Sequence, residues 1–172
     1  MSKHQIPSPV AIDHSTQPPS QSHSESSSAS ASSPSSPLAV SLKEGSGRFV
    51  YPDGAIYEGS YVTNSNGVKV KNGQGNYSDG HSSYQGRWEN DRMHGRGFYI
   101  GASGATYDGD FLDSKFHGQG IYKWPDGAEY RGLWSYNKMH GTGSYTAADG
   151  LQFVGEYYNG LFVEGSTHVA VR

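Results

Sequence analysis

Three histidines, His94, His117 and His140, stand 23 residues apart, and each leads a Gly-x-Gly. An imidazole binds zinc at about 2 Å, so three of them could hold an ion only if the rings converged. Gly-x-Gly also occurs in phosphate-binding turns, where a strand runs through glycines into a helix N-terminus. Carboxylate pairs such as Asp108 and Asp110 could divide acid and base roles. Cysteine is absent, which excludes thiolate nucleophiles, thiolate metal sites and disulfides.

The elements that carry these residues weigh against all three chemistries. The histidines belong to a larger period. Tyr84, Tyr107, Tyr130 and Phe153 open successive copies 23 residues apart. Gly86, Gly109, Gly132 and Gly155 follow two residues later, and Trp88, Phe111, Trp134 and Tyr157 two later again. After each histidine come Gly95 and Gly97, Gly118 and Gly120, or Gly141 and Gly143. Self-similarity at a fixed period marks a stacked repeat.

Positions two apart share one face of a strand, so Tyr84, Gly86 and Trp88 point one way and Gln85 and Arg87 the other. Gly95, Gly97 and Tyr99 share a face in the second half of the copy. Each copy reads as two short strands joined by the loop ENDRMH, and KWPDGAEY spells the turn to the next copy. There Pro125 presets φ, and Gly127 can take the left-handed position. YPDGAIY at Tyr51–Tyr57 repeats that turn.

No connection is long enough for a crossover, so the expected fold is an all-β antiparallel meander of stacked hairpins. Strands lie about 4.8 Å apart, placing equivalent histidines roughly 10 Å apart, too far to share one ion. They read as turn residues that hydrogen-bond locally. No helical periodicity follows any Gly-x-Gly, and Asp108 and Asp110 lie opposite Tyr107 and Gly109 on a solvated face. The chain is read as a non-enzyme with no catalytic, metal or cofactor residues.

Glycine inside strands marks close backbone approach. Gly86, Gly95, Gly97, Gly109, Gly118, Gly120, Gly132, Gly141 and Gly143 are expected to lie bare beneath rings from neighbouring strands, as in aromatic rescue. Packing of this kind lets a chain with only 33% hydrophobic residues fold.

The pattern Y-x-G-x-[WF], a short loop, H-G-x-G-x-Y and a D-G turn resembles the MORN repeat, and Tyr107 to Tyr130 is the closest match. The resemblance covers Gly45 to Gly165. It implies an elongated single-layer, twisted antiparallel sheet with one hairpin per copy, an array used for protein–protein contact, in cytoskeletal, ciliary or axonemal settings. Under it the chain divides into a half repeat at 45–56, repeats at 57–83, 84–106, 107–129 and 130–152, a partial copy at 153–165 and a C-terminal extension at 166–172. The copy from Tyr57 carries a longer loop, VTNSNGVKVKN.

Residues 1–44 differ in kind. The first 40 hold 14 Ser and 6 Pro and no aromatic residue, a composition that cannot bury enough apolar surface to order itself. The expectation is a disordered tail with Ser33-Pro34 and Ser36-Pro37 as phosphorylation candidates. No apolar run follows Lys3, so the sequence reads as cytoplasmic rather than secreted, with no transmembrane segment.

From Ser41 onward 12 Lys and Arg face 14 Asp and Glu, a net charge of −2 with mixed signs. No basic stripe points to nucleic acid. The partner expectation is other proteins, bound through Tyr84, Trp88, Tyr107, Phe111, Tyr130 and Trp134. One alternative is a membrane-surface adaptor touching anionic lipid through Lys69 and Lys71, and another is a regulatory module acting in trans on an enzyme. The C-terminal edge, Gln152 to Val163, is the candidate homodimer contact.

Overall fold

The computed structural model describes residues 43–169. Residues 1–42, with the two Ser-Pro steps, and 170–172 lie outside the described residues. Eleven strands follow one another: β1 (Lys43–Val50), β2 (Ile56–Thr63), β3 (Lys69–Ser78), β4 (Ser83–Glu89), β5 (Arg92–Ile100), β6 (Thr106–Leu112), β7 (Lys115–Lys123), β8 (Glu129–Ser135), β9 (Lys138–Thr146), β10 (Leu151–Tyr158) and β11 (Leu161–Val169). Each pairs antiparallel with the next, in chain order, in one open sheet. This is the meander that alternation and turn spacing predict. β1 already takes in Lys43 and Glu44, and β11 runs on through Ser166 to Val169.

Two turn types alternate along the sheet. At one edge four of the five links between copies are tight turns closed by a left-handed glycine, Gly54, Gly104, Gly127 and Gly150, while the fifth, Asp79–Ser82, carries its left-handed Gly80 in second place. Gly54 N–H donates to Tyr51 O and Gly127 N–H to Trp124 O, with φ of 87° and 89°. Asp53 and Asp126 carboxylates accept from Ala55 and Ala128 N–H. At the other edge the links are two-residue turns with both residues at positive φ: Asn90-Asp91, Asp113-Ser114, Tyr136-Asn137 and Asn159-Gly160. The expected six-residue loop ENDRMH is therefore only Asn90-Asp91, and His94 falls inside β5. Likewise VTNSNGVKVKN is not a long loop but a longer hairpin. Thr63, Val62 and Tyr61 pair with Lys69, Val70 and Lys71, and only 64–68 turn.

The second residue of each two-residue turn docks on the preceding hairpin. Asp91 N–H donates to Lys71 O, Ser114 to Met93 O, Asn137 to Phe116 O and Gly160 to Met139 O. In three of the four the side chain answers: Asp91 Oδ1 accepts from Lys71 N–H (2.8 Å), Ser114 Oγ from Met93 N–H (3.1 Å) and Asn137 Oδ1 from Phe116 N–H (2.7 Å). These pairs tie each copy to its predecessor.

One glycine from every strand forms a straight row across the sheet: Gly47, Gly59, Gly75, Gly86, Gly97, Gly109, Gly120, Gly132, Gly143, Gly155 and Gly165. Tyrosine rings lie over it. A Cβ at Gly86 or Gly97 would stand 2.5 Å from Tyr84, and Tyr57, Tyr107 and Tyr130 crowd their glycine pairs in the same way. The covering ring comes from the glycine's own strand, two residues back, and reaches across to the paired strand; it is not supplied by neighbouring strands alone, as the sequence suggests. The first glycine of each Gly-x-Gly has a different duty. Gly95, Gly118 and Gly141 sit at φ of 60°, 56° and 62° on the strand that bulges, where the register shifts.

Candidate functional site: the two faces of the sheet

On one face, the opening aromatics of all strands but the last fall in register: Phe49, Tyr57, Tyr77, Tyr84, Tyr99, Tyr107, Tyr122, Tyr130, Tyr145 and Phe153. A zigzag of edge-to-face contacts joins Tyr57, Trp88, Tyr84, Phe111, Tyr107, Trp134, Tyr130 and Tyr157, with centroids 5.0–5.5 Å apart. Pairs of this geometry add about 0.5–1.5 kcal/mol each beyond their burial. The shift at each bulge leaves a carbonyl without a ladder partner, and a tyrosine hydroxyl supplies one. Tyr84 Oη donates to Arg87 O (2.9 Å), Tyr107 to Asp110 O (2.9 Å) and Tyr130 to Leu133 O (3.0 Å). Trp88 and Trp134 Nε1 donate to Gly75 O and Gly120 O, both at 3.2 Å.

The six rings expected to meet a partner, Tyr84, Trp88, Tyr107, Phe111, Tyr130 and Trp134, are thus 0–3% exposed. They present no surface because rings of adjoining copies close over them, the next copy over Tyr84, Tyr107 and Tyr130 and the preceding copy over Trp88, Phe111 and Trp134. Lys71, expected to touch lipid, is buried as well. Its ammonium lies 3.5 Å from Asp91 and over the rings of Tyr51, Tyr57 and Trp88. Pairing with Tyr61 puts it in the slot that Met93, Phe116, Met139 and Phe162 fill in later copies. Burial pulls its pKa below the usual lysine value, against the Asp91 carboxylate, which raises it. Lys69 keeps an exposed place, with its ammonium 4.6 Å from the Tyr61 ring centre.

The histidines are strand residues, not turn residues. His94 Nε2 lies 3.4 Å from Glu89, whereas His117 and His140 rest against the rings of Tyr136 and Tyr158. Nδ1 of His117 and of His140 is buried without a hydrogen-bond partner among the described residues. The three imidazoles stay one to a hairpin. Among the described residues no three His, Asp or Glu gather as a metal site would need. Asp108 pairs with Arg96 (2.8 Å), and Asp110 accepts from Gln119 N–H (3.1 Å).

The opposite face carries what a partner could reach. Register aligns Arg48, Glu58, Asn76, Gln85 and Phe98 in one row, and Val50, Ile56, Ser78, Ser83 and Ile100 in the next. Most of these residues line a groove of about 520 Å³ across β1–β5. Phe98 and Ile100 are exposed there, at 40 and 38%, and Val50, at 62%, lies beside it opposite Ile56. Nothing in the repeat pattern marks these positions, because they vary between copies while the ring-bearing face repeats.

Among the described residues no helix is long and apolar enough to cross a membrane. No curated protein matches the chain. The family model of the MORN repeat matches residues 41–56, 84–106, 107–129 and 130–152. The matches pass over 57–83, the copy with the longer hairpin and with lysine in the Met/Phe slot. MORN repeats are non-enzymatic modules that bind proteins or membrane lipids. With its copies in register along one antiparallel sheet, this chain belongs to the MORN-repeat family.

Proposed function

We propose that the array is a protein-binding scaffold whose contact surface is the groove of β1–β5 rather than the aromatic face. The observation that carries this reading is the groove's chemistry. Exposed Phe98 and Ile100 on β5 and half-buried Ile56 on β2 stand either side of Asn76, Ser78, Ser83 and Gln85, with Arg48 and Glu58 beside Ile56, a mixture of apolar and polar groups as in protein interfaces. Binding to anionic lipid asks for a cluster of free cations, each adding about 1 kcal/mol near the surface. Here Lys71 is buried, Arg92 pairs with Asp113, Arg96 with Asp108, and Lys123 and Arg131 with Glu129. The cytoskeletal or axonemal setting that the family resemblance implies is part of the proposal.

Two assays test it together. Tagged full-length chain is recovered from cells with its bound proteins, in parallel with Phe98→Glu and Ile100→Glu variants, and the purified chain is sedimented with phosphatidylserine vesicles at physiological salt. The expected result is a cytoskeletal partner lost from both variants, with vesicles ignored. Vesicle sedimentation that Lys69→Glu abolishes, with no protein partner sensitive to the groove, would give the lipid reading instead.

A further inference from the structure

Among the described residues the sheet has two open edges, β1 and β11. The span Gln152 to Val163, expected from sequence to be the C-terminal edge, is mostly β10, which is paired on both sides. The true edge is Leu161–Val169. Unpaired edges recruit strands unless charge or proline blunts them. β1 carries Lys43, Glu44 and Arg48 in eight residues, and another 42 residues precede it. β11 carries one formally charged residue, Glu164, while Leu161 and Val163 are 70% and 62% exposed.

We propose that β11 pairs antiparallel with β11 of a second copy, about a two-fold axis passing near Gly165. Strand parity points to this symmetry. Eleven strands is an odd number, so β1 and β11 run in the same direction. Adding a second copy head to tail would place β11 parallel to its neighbour and break the ladder pattern of the meander. A two-fold normal to the sheet keeps the pairing antiparallel and the aromatic faces on one side.

The register follows from the glycine row. Centring on Gly165 opposes the two Gly165 residues and carries the row into the second copy. Glu164 then faces Ser166 of the second copy, a carboxylate–hydroxyl match like that of Thr142 and Glu156 (2.9 Å). Val163 faces Thr167 of the second copy. Centring on Glu164 would set two carboxylates opposite each other, which is destabilising. This surface is separate from the groove, so either proposal can fail without the other.

Ultracentrifugation of the full chain is expected to show a reversible dimer and nothing larger. Val163→Lys with Thr167→Lys should give a monomer whose unfolding profile, taken at a concentration where the wild type is also monomeric, is unchanged. Val50→Lys in β1 should leave the dimer intact. Because the chain has no cysteine, Glu164→Cys with Ser166→Cys reports register, and oxidation should link two chains. A wild-type monomer at the highest concentration reached, oligomers that keep growing, or a dimer lost in the β1 variant but retained in the β11 variant would each overturn the proposal. Should the lysine variant not fold, the cysteine pair decides, and absence of cross-linking counts against it.

Discussion

Lys71 shows how one residue can depart from a repeat and still be held by it. Its slot is apolar in four other hairpins, and here an ammonium is kept by Asp91 and three rings. Replacing a whole buried ion pair by apolar side chains is often neutral or stabilising by about 1–4 kcal/mol, and removing one member is costly only when the other charge stays buried. Lys71→Met should therefore raise the melting temperature, since Asp91 keeps its bond to the residue-71 N–H and partial access to water. The glycine row gives the opposite sign. Gly109→Val must displace Tyr107 and the facing strand, whereas Gly101 meets its nearest atom at 3.4 Å. Overpacking costs about 1–3 kcal/mol, so thermal melts should rank Gly109→Val well below Gly101→Val.

The covering tyrosines also set a pH limit. Burial raises Tyr57, Tyr84, Tyr107 and Tyr130 strongly, and Tyr157 to about 12. The unfolded chain releases these protons near pH 10, before the folded one does. Stability is then full below about pH 10 and falls as pH rises from there through the folded values. Lys71, shifted the other way, adds a gain as pH climbs toward its unfolded value, so the fall should be cleanest in Lys71→Met. Melting temperatures read in steps from neutral to strongly alkaline pH check this.

At the scale of the hairpin, the joints between copies are the two-residue turns. Asn137 holds positive φ, and its side chain occupies the Phe116 N–H. Glycine accepts that backbone and removes the acceptor. Asn137→Gly should cost about 1–3 kcal/mol, the usual penalty for a buried donor left unmatched. Asn137→Asp restores the group that Asp91 supplies in the first joint and should melt close to wild type. Gly160, at the last joint, has no such side chain and docks by its backbone alone.

For the whole molecule, one row of hairpins makes a long body. Eleven strands at about 4.8 Å give a sheet roughly 50 Å long. Small-angle scattering from the chain lacking residues 1–42 should show an elongated profile. Its radius of gyration should exceed the roughly 14 Å of a compact domain of this length.

The sequence by itself determined whatever is settled within two or three residues and then repeated. Tyr-x-Gly-x-Trp fixes which side chains share a face, Pro125 and Gly127 fix a turn, and the 23-residue period forces the same hairpin again. The meander and the ring-over-glycine packing were legible for that reason. Tertiary structure alone decided what depends on the neighbouring copy. Tyr84 is buried because Phe111 of the next hairpin closes over it, so rings that alternation places on an open face have no exposure to offer. Lys71 looked like a loop cation until pairing with Tyr61 extended the hairpin and turned it inward. The groove of Arg48, Ile56 and Phe98 draws on strands 8 to 50 residues apart in sequence, positions that vary from copy to copy. Burial and register are relations between strands, and a periodic sequence specifies the strand before it specifies what will lie against it.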